Sequence, residues 1–227
     1  MSNTLLDAAD HRRRGSYATK LRLKRFELFL CLLDSIRCDN IRILDVGGTV
    51  LFWENMDFIK VCRDRNIELT ILNIMPQEPK YEFVKTVVGD ARRLSGFPDK
   101  CFDIVFSNSV IEHVGTYSDQ LAMAQEVIRT GKTYFVQTPN RYFPIEPHFL
   151  FPFFQFFPLS LKIFIMQYFG LAWYKATGSK KEAEDLVKDI RLLTLKELLR
   201  FFPHSMLYKE KLFGLTKSFI VWKVIEA

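Results

Sequence analysis

The chain has 227 residues, 48% hydrophobic and 26% charged, with 22 phenylalanines and a formal net charge of +6. That length suits one domain with a full core and an elaboration. The charge is local: Arg12, Arg13, Arg14, Lys20, Arg22, Lys24 and Arg25 stand together without an acid, and the rest holds 25 basic against 26 acidic residues. A nucleic-acid-binding surface over the body is therefore not expected. Cys31, Cys38, Cys62 and Cys101 show no C-x-x-C spacing, which fits reduced thiols and no metal. Met1–Asp10 lacks an apolar core of signal-peptide length, so a cytoplasmic location is expected.

Residues 1–15 read as a polar arm. Ser16 can cap a helix reaching about Arg37, with Phe26, Phe29, Leu30, Leu33 and Ile36 on one face. Two readings of that helix stand: one packed over the domain with its basic end solvated, or one set at an anionic membrane or gating a site. Ile41–Val46 is an apolar strand, Gly47-Gly48 a turn, and Glu54–Arg65 a helix. Strand, glycine turn and helix open the nucleotide-binding α/β folds, but G-x-G-x-x-G is missing, so a pyrophosphate cradle is not expected. Ile67–Ile74 and Phe83–Val88 follow as strands, the second leading to Gly89-Asp90-Ala91. Asp103–Phe106 is a buried strand type, apolar almost throughout. Phe97-Pro98-Asp99 precedes it, and Ser107-Asn108-Ser109-Val110-Ile111-Glu112-His113-Val114 follows. Asp119–Arg129 reads as a helix with Thr130-Gly131 as C-cap. Lys132–Gln137 is a fifth strand, Thr194–Phe202 a helix, and Met206–Leu212 and Lys217–Val224 a hairpin around Phe213-Gly214.

Asp45-Val46-Gly47-Gly48-Thr49, Gly89-Asp90-Ala91 and the block Leu94–Val114 resemble, in this order, the motifs of class I S-adenosylmethionine (SAM) dependent methyltransferases. The block is similar to that of the ubiquinone/menaquinone-biosynthesis-like group. The likeness covers roughly Ile41–Gln137 and resumes at the C-terminal hairpin. It implies an α/β, three-layer Rossmann-like fold whose mostly parallel seven-stranded sheet ends in an antiparallel hairpin. It implies SAM as cofactor. Asp45, Gly47, Gly48 and Thr49 would receive its methionine end, Asn73 and Ile74 its ribose, Asp90 and Ala91 its adenine, with Ser107 and Asn108 at the end of the fourth strand. The family carries an acid where this chain has Asn73; an amide can serve hydroxyls, and a turn before Pro76 is the other reading. His113 stands on the rim, as base or as positioning residue.

Residues 139–190 form an insertion where this fold often carries a substrate lid. Its opening, Thr138-Pro139-Asn140-Arg141-Tyr142-Phe143-Pro144-Ile145-Glu146-Pro147-His148, resembles bacterial methyltransferases with Thr-Pro-Asn-Arg and Glu-Pro-His segments. Asn140, Arg141 and Tyr142 are expected at the acceptor, and Glu146 or His148 as the base. Phe149–Tyr174 has one charge, Lys162, and reads as a helical lid, a dimer surface or a membrane-facing patch. Gly178–Asp185 reads as a mobile hinge. The expected activity is methyl transfer to a small-molecule or lipid-linked acceptor, with oxygen preferred. A homodimer and peripheral membrane contact fit the same segment. The rivals are a non-catalytic partner of the same fold and an NAD(P)-dependent oxidoreductase.

Overall fold

The computed structural model describes residues 17–172 and 174–224. The arm with Arg12, Arg13 and Arg14, and the Ser16 cap, lie outside these residues. The sheet runs β3(Val84–Val88), β2(Ile67–Asn73), β1(Ile41–Val46), β4(Phe102–Asn108), β5(Gly131–Pro139), β9(Leu215–Trp222), β8(Met206–Leu212). The first five are parallel; β9 is antiparallel to β5 and β8 to β9. β1, β4 and β5 are buried along almost their whole length, and β1 and β4 are mostly apolar. That is the pattern of strands covered on both faces. The strand order reverses between β1 and β4, which opens a crevice at their C-terminal ends.

α1(Tyr17–Asp34) lies over one face. Its Phe29 is fully buried, with its ring 5.0 Å from Phe106 and 5.7 Å from Phe135. The helix expected over 54–65 is two helices, α2(Val50–Asn55) and α3(Phe58–Asp64). Asp57 breaks them in the left-handed region (φ +54°). Trp53 and Phe58 explain the break. On one helix, positions five apart point about 140° from each other, yet both rings are fully buried and 4.8 Å apart. The kink turns both into the core beneath α1.

The other face carries α4(Tyr117–Thr130) and α7(Leu195–Phe201). Thr116 with Asp119, and Thr194 with Glu197, close a capping box at each N-terminus. Gly131 is the C-cap of α4, as expected, with its N–H donating to Val127 O, but in extended backbone (φ −96°), and it starts β5. A Cβ there would meet the Thr133 carbonyl at 2.5 Å and Val105 Cγ2 at 2.7 Å, so glycine serves a close strand approach.

The insertion contains β6(Ile145–Glu146), β7(Phe151–Pro152), α5(Leu159–Tyr168) and α6(Lys180–Lys188). It has its own small core of Phe149, Phe154, Ile163, Met166, Ala183 and Val187. Residues 178–185, expected as a hinge, lead into and form most of α6. Ser179 caps α6, and Ala183 and Val187 anchor it.

Candidate active site

Two cavities meet at the crevice and share Gly47, Ser109 and His113. The larger, about 530 Å³, lies between the β1 turn, the end of β4, α1 and the insertion. The smaller, about 420 Å³, lies above β2 and β3.

The β1 turn is packed too tightly for side chains at its glycines. Gly47 has φ +79°, and a Cβ there would strike Val110 at 2.5 Å. A Cβ on Gly48 would lie 1.6 Å from Asp45 Oδ2. Asp45 is buried and accepts a 2.6 Å hydrogen bond from Trp53 Nε1. Burial pushes its pKa up to about 7, against the opposing indole bond. Thr49 lines the same cavity and caps α2 through Phe52 N–H. Asn108 lines it too, accepting from Arg25 Nη1 at 3.0 Å.

Asn73, Ile74, Asp90 and Ala91 line the smaller cavity. Asn73 also has a local role. Its amide donates to Gly48 O at 2.8 Å and its Oδ1 accepts from Met75 N–H at 3.0 Å, so it ties β2 to the glycine turn. Asp90 is held by Arg92, whose Nη2 donates at 2.6 Å, and this pairing keeps the carboxyl below its ordinary range.

Ser107 departs from expectation. It is fully buried and donates to Val46 O at 3.2 Å, a strut between β4 and β1 rather than a cavity wall. Ser109, in the left-handed region at φ +56°, lines both cavities and donates to Gln137 Oε1 at 2.8 Å.

His148 lines the larger cavity. Its Nδ1 lies 2.7 Å from Glu146 Oε1, so the neutral imidazole carries its proton on Nδ1 and leaves Nε2 as acceptor. Glu146 itself is buried outside this cavity and also accepts from the N–H groups of His148 and Phe149. It holds the His148 ring from outside the cavity. Burial alone would lower the His148 pKa; the bond and charge of Glu146, with Glu112 and Asp189, outweigh it and hold the pKa above the ordinary histidine value. His113 packs edge-on against His148, ring centroids 4.8 Å apart, and its Nδ1 is 3.4 Å from Asp189.

Asn140, Arg141 and Tyr142, expected at the acceptor, do not line the two joined cavities. Asn140 is buried, donates to Thr216 O and accepts from Tyr142 N–H, which pins the loop. Tyr142 is exposed, and Arg141 lines a separate cavity of about 170 Å³ with Glu146 and Lys162. Arg22 and Arg25 from α1 and Lys217 from β9 line the larger cavity. The basic end of α1 thus turns inward and is not simply solvated.

Residues 56–136 match the family model for a methyltransferase domain. Over those 81 of the 227 residues the chain is similar to methyltransferase domains. A carbon methyltransferase, CurJ, has the same fold: TM-score 0.59, 11% identity, covering 95% of this chain and 56% of that one. Uncharacterized proteins from two strains of Mycobacterium tuberculosis are 36% identical over 70 residues, 31% of this chain. The match spans 23% of those relatives' length.

The cofactor of methyltransferase domains of this kind is SAM, and the cleft fits it. The glycine turn has no room for side chains, and the joined cavities present polar groups at both ends. If Asp45 receives the cofactor's cationic end it must ionise. Below pH about 7 it holds a proton that binding must release. The affinity for S-adenosylhomocysteine (SAH) is then expected to rise up to about tenfold per pH unit below 7 and to level off above it. Calorimetry in buffers of different ionisation enthalpy reads this directly, as proton release at pH 6.

Proposed function

We propose that the protein transfers the methyl group of SAM to a hydroxylated, apolar-bodied acceptor, small or lipid-linked, that enters between the insertion and α1. The supporting observation is His148, held from behind by Glu146, on the wall of the cavity that also holds Asp45 and the glycine turn.

Methyl transfer is an in-line displacement. The protein has to align the acceptor oxygen with the methyl carbon and take its proton. SAM supplies the methyl group on a good leaving group. His148 accepts the acceptor's proton at Nε2, and Glu146, through Nδ1–H, holds the ring and favours the imidazolium that forms. Phe143, Pro147 and Tyr174 give the same cavity its apolar wall on the insertion side. Asp45, Gly47, Gly48 and Thr49 take the methionine end, and Asn73, Ile74, Asp90 and Ala91 the nucleoside. His113 backs the His148 ring.

The insertion supports an apolar acceptor. Phe153, Phe156, Leu159, Leu161, Phe164, Tyr168 and Phe169 expose their side chains on it. No helix of the described residues is long and apolar enough to cross a membrane. Such a patch suits contact with a membrane surface or with a second copy of the chain. A cytoplasmic protein at the inner membrane face is the setting we favour.

The test is label transfer from methyl-tritiated SAM to phenols and to prenylated phenols presented in vesicles. Label in an extractable methyl ether is the expected result. Bound SAH without transfer to either class would overturn the reading in favour of a non-catalytic partner.

A further inference from the structure

The floor of the larger cavity carries charge that methyl transfer to a neutral acceptor does not use. Arg22 and Arg25 reach in from α1, and Lys217 from β9. Glu210, itself buried, is the shared counter-charge: Arg25 Nε lies 3.0 Å from its Oε1 and Lys217 Nζ 3.7 Å from its Oε2. Glu210 Oε2 also accepts from Ser218 at 2.7 Å. The Arg22 guanidinium sits over the Phe52 ring at 5.7 Å, and its Nε is buried without a hydrogen-bond partner among the described residues. Three cations thus face Glu210, while burial pushes the cavity's Asp45 and nearby Glu112 toward their neutral forms. Desolvation lowers the pKa of all three cations, and Arg25 adds repulsion at Arg22 and Lys217. Partly buried cations in excess are costly unless an anion joins them.

We infer that Arg22, Arg25 and Lys217 form a subsite for an anionic group, carboxylate or phosphate, on the methyl acceptor. This rests on the methyltransferase reading above and narrows its substrate class. The cofactor's own carboxylate is the competing source; the sheet order argues against it for Lys217, while Arg25 on Asn108 of β4 and Arg22 over Phe52 of α2 stand nearer the glycine turn. Lys217 stands on β9, and Ser218 pairs with Pro139 of β5. From the β1 glycine turn, β4 and β5 intervene, so Lys217 is three strand spacings away, about 14 Å. His148 lines the space on the insertion side of the same cavity. An acceptor seated by its anion on Arg25 and Lys217 therefore extends toward the base and the methyl group.

The probes are phenyl phosphate, benzoate and neutral benzyl alcohol, titrated into the SAH-saturated protein and followed by saturation-transfer NMR. At least one anion binds and weakens with salt, and benzyl alcohol does not bind. Lys217→Met weakens that anion at least about tenfold, while SAH affinity and thermal midpoint hold; Arg22→Gln, with its side chain at the cavity edge, weakens it as well. Anions that displace SAH would assign the cluster to the cofactor's carboxylate and overturn the proposal. So would binding that Lys217→Met leaves unchanged, or no anion binding to the SAH complex. Failure of the wild-type protein to bind SAH at all is a separate result, one that removes the cofactor reading and the subsite with it.

Discussion

Gly48→Ala is expected to weaken SAH binding at least about 100-fold, a loss near 2.7 kcal/mol. The added Cβ would lie 1.6 Å from Asp45 Oδ2 and 2.2 Å from its Cγ. Asp45 cannot step aside freely. It is 1% exposed, and moving it strands the Trp53 indole N–H in the core, at about 1–3 kcal/mol. The alternative is a shift of the turn itself, which presses Gly47 onto Val110 and carries the backbone into the space meant for the ligand. Gly96→Ala is the control, because a Cβ there meets nothing within 4 Å. Calorimetry and thermal melting of both variants separate lost binding from lost folding. Wild-type affinity in Gly48→Ala would show that the turn does not touch the cofactor.

His148→Ala is expected to lower turnover by roughly 10²–10⁴-fold, the usual range for a lost general base. SAH affinity should stay within about twofold, since the ring acts on the acceptor. Glu146→Gln should lose turnover by a different route. Its oxygen can keep the N–H groups of His148 and Phe149, which turns its amide N–H₂ toward His148 Nδ1. That bond favours the tautomer with the proton on Nε2, where no base remains. The wild-type pH profile carries the sign. Activity needs neutral His148, so it rises through a pKa above the ordinary histidine value, and the alkaline plateau comes late. For stability the order reverses. The His148–Glu146 pair contributes fully below the unfolded histidine pKa, and that contribution fades as pH rises through the folded one. Unchanged turnover in both variants would remove the base assignment.

The parallel strands were legible because buried strands write themselves as apolar runs, and the β1 turn because it needs glycine. The break between α2 and α3 was not, because helical spacing over 54–65 does not reveal that Trp53 and Phe58 must share one side. Ser107 and Ser109 were separated by the geometry of a strand's end. The first still lies within the buried run of β4, while the second has left it with φ +56°. The inward turn of α1 did have a signal. Arg22 and Arg25 stand four residues before Phe26 and Phe29, hence above the core-facing stripe. Lys217 had none, since only strand pairing brings β9 beside β5. In the insertion, dense phenylalanine hid a mixture of hairpin, turn and helix that no single period describes. The polar 178–185 stretch concealed a capped helix whose buried positions, Ala183 and Val187, are small.

The central claim is that the joined cavities are a SAM site. Titration of the wild-type protein with SAH, beside NAD, tests it most directly. Micromolar SAH binding with no NAD heat is the result predicted. NAD binding, or silence toward SAH in a folded protein, would contradict it.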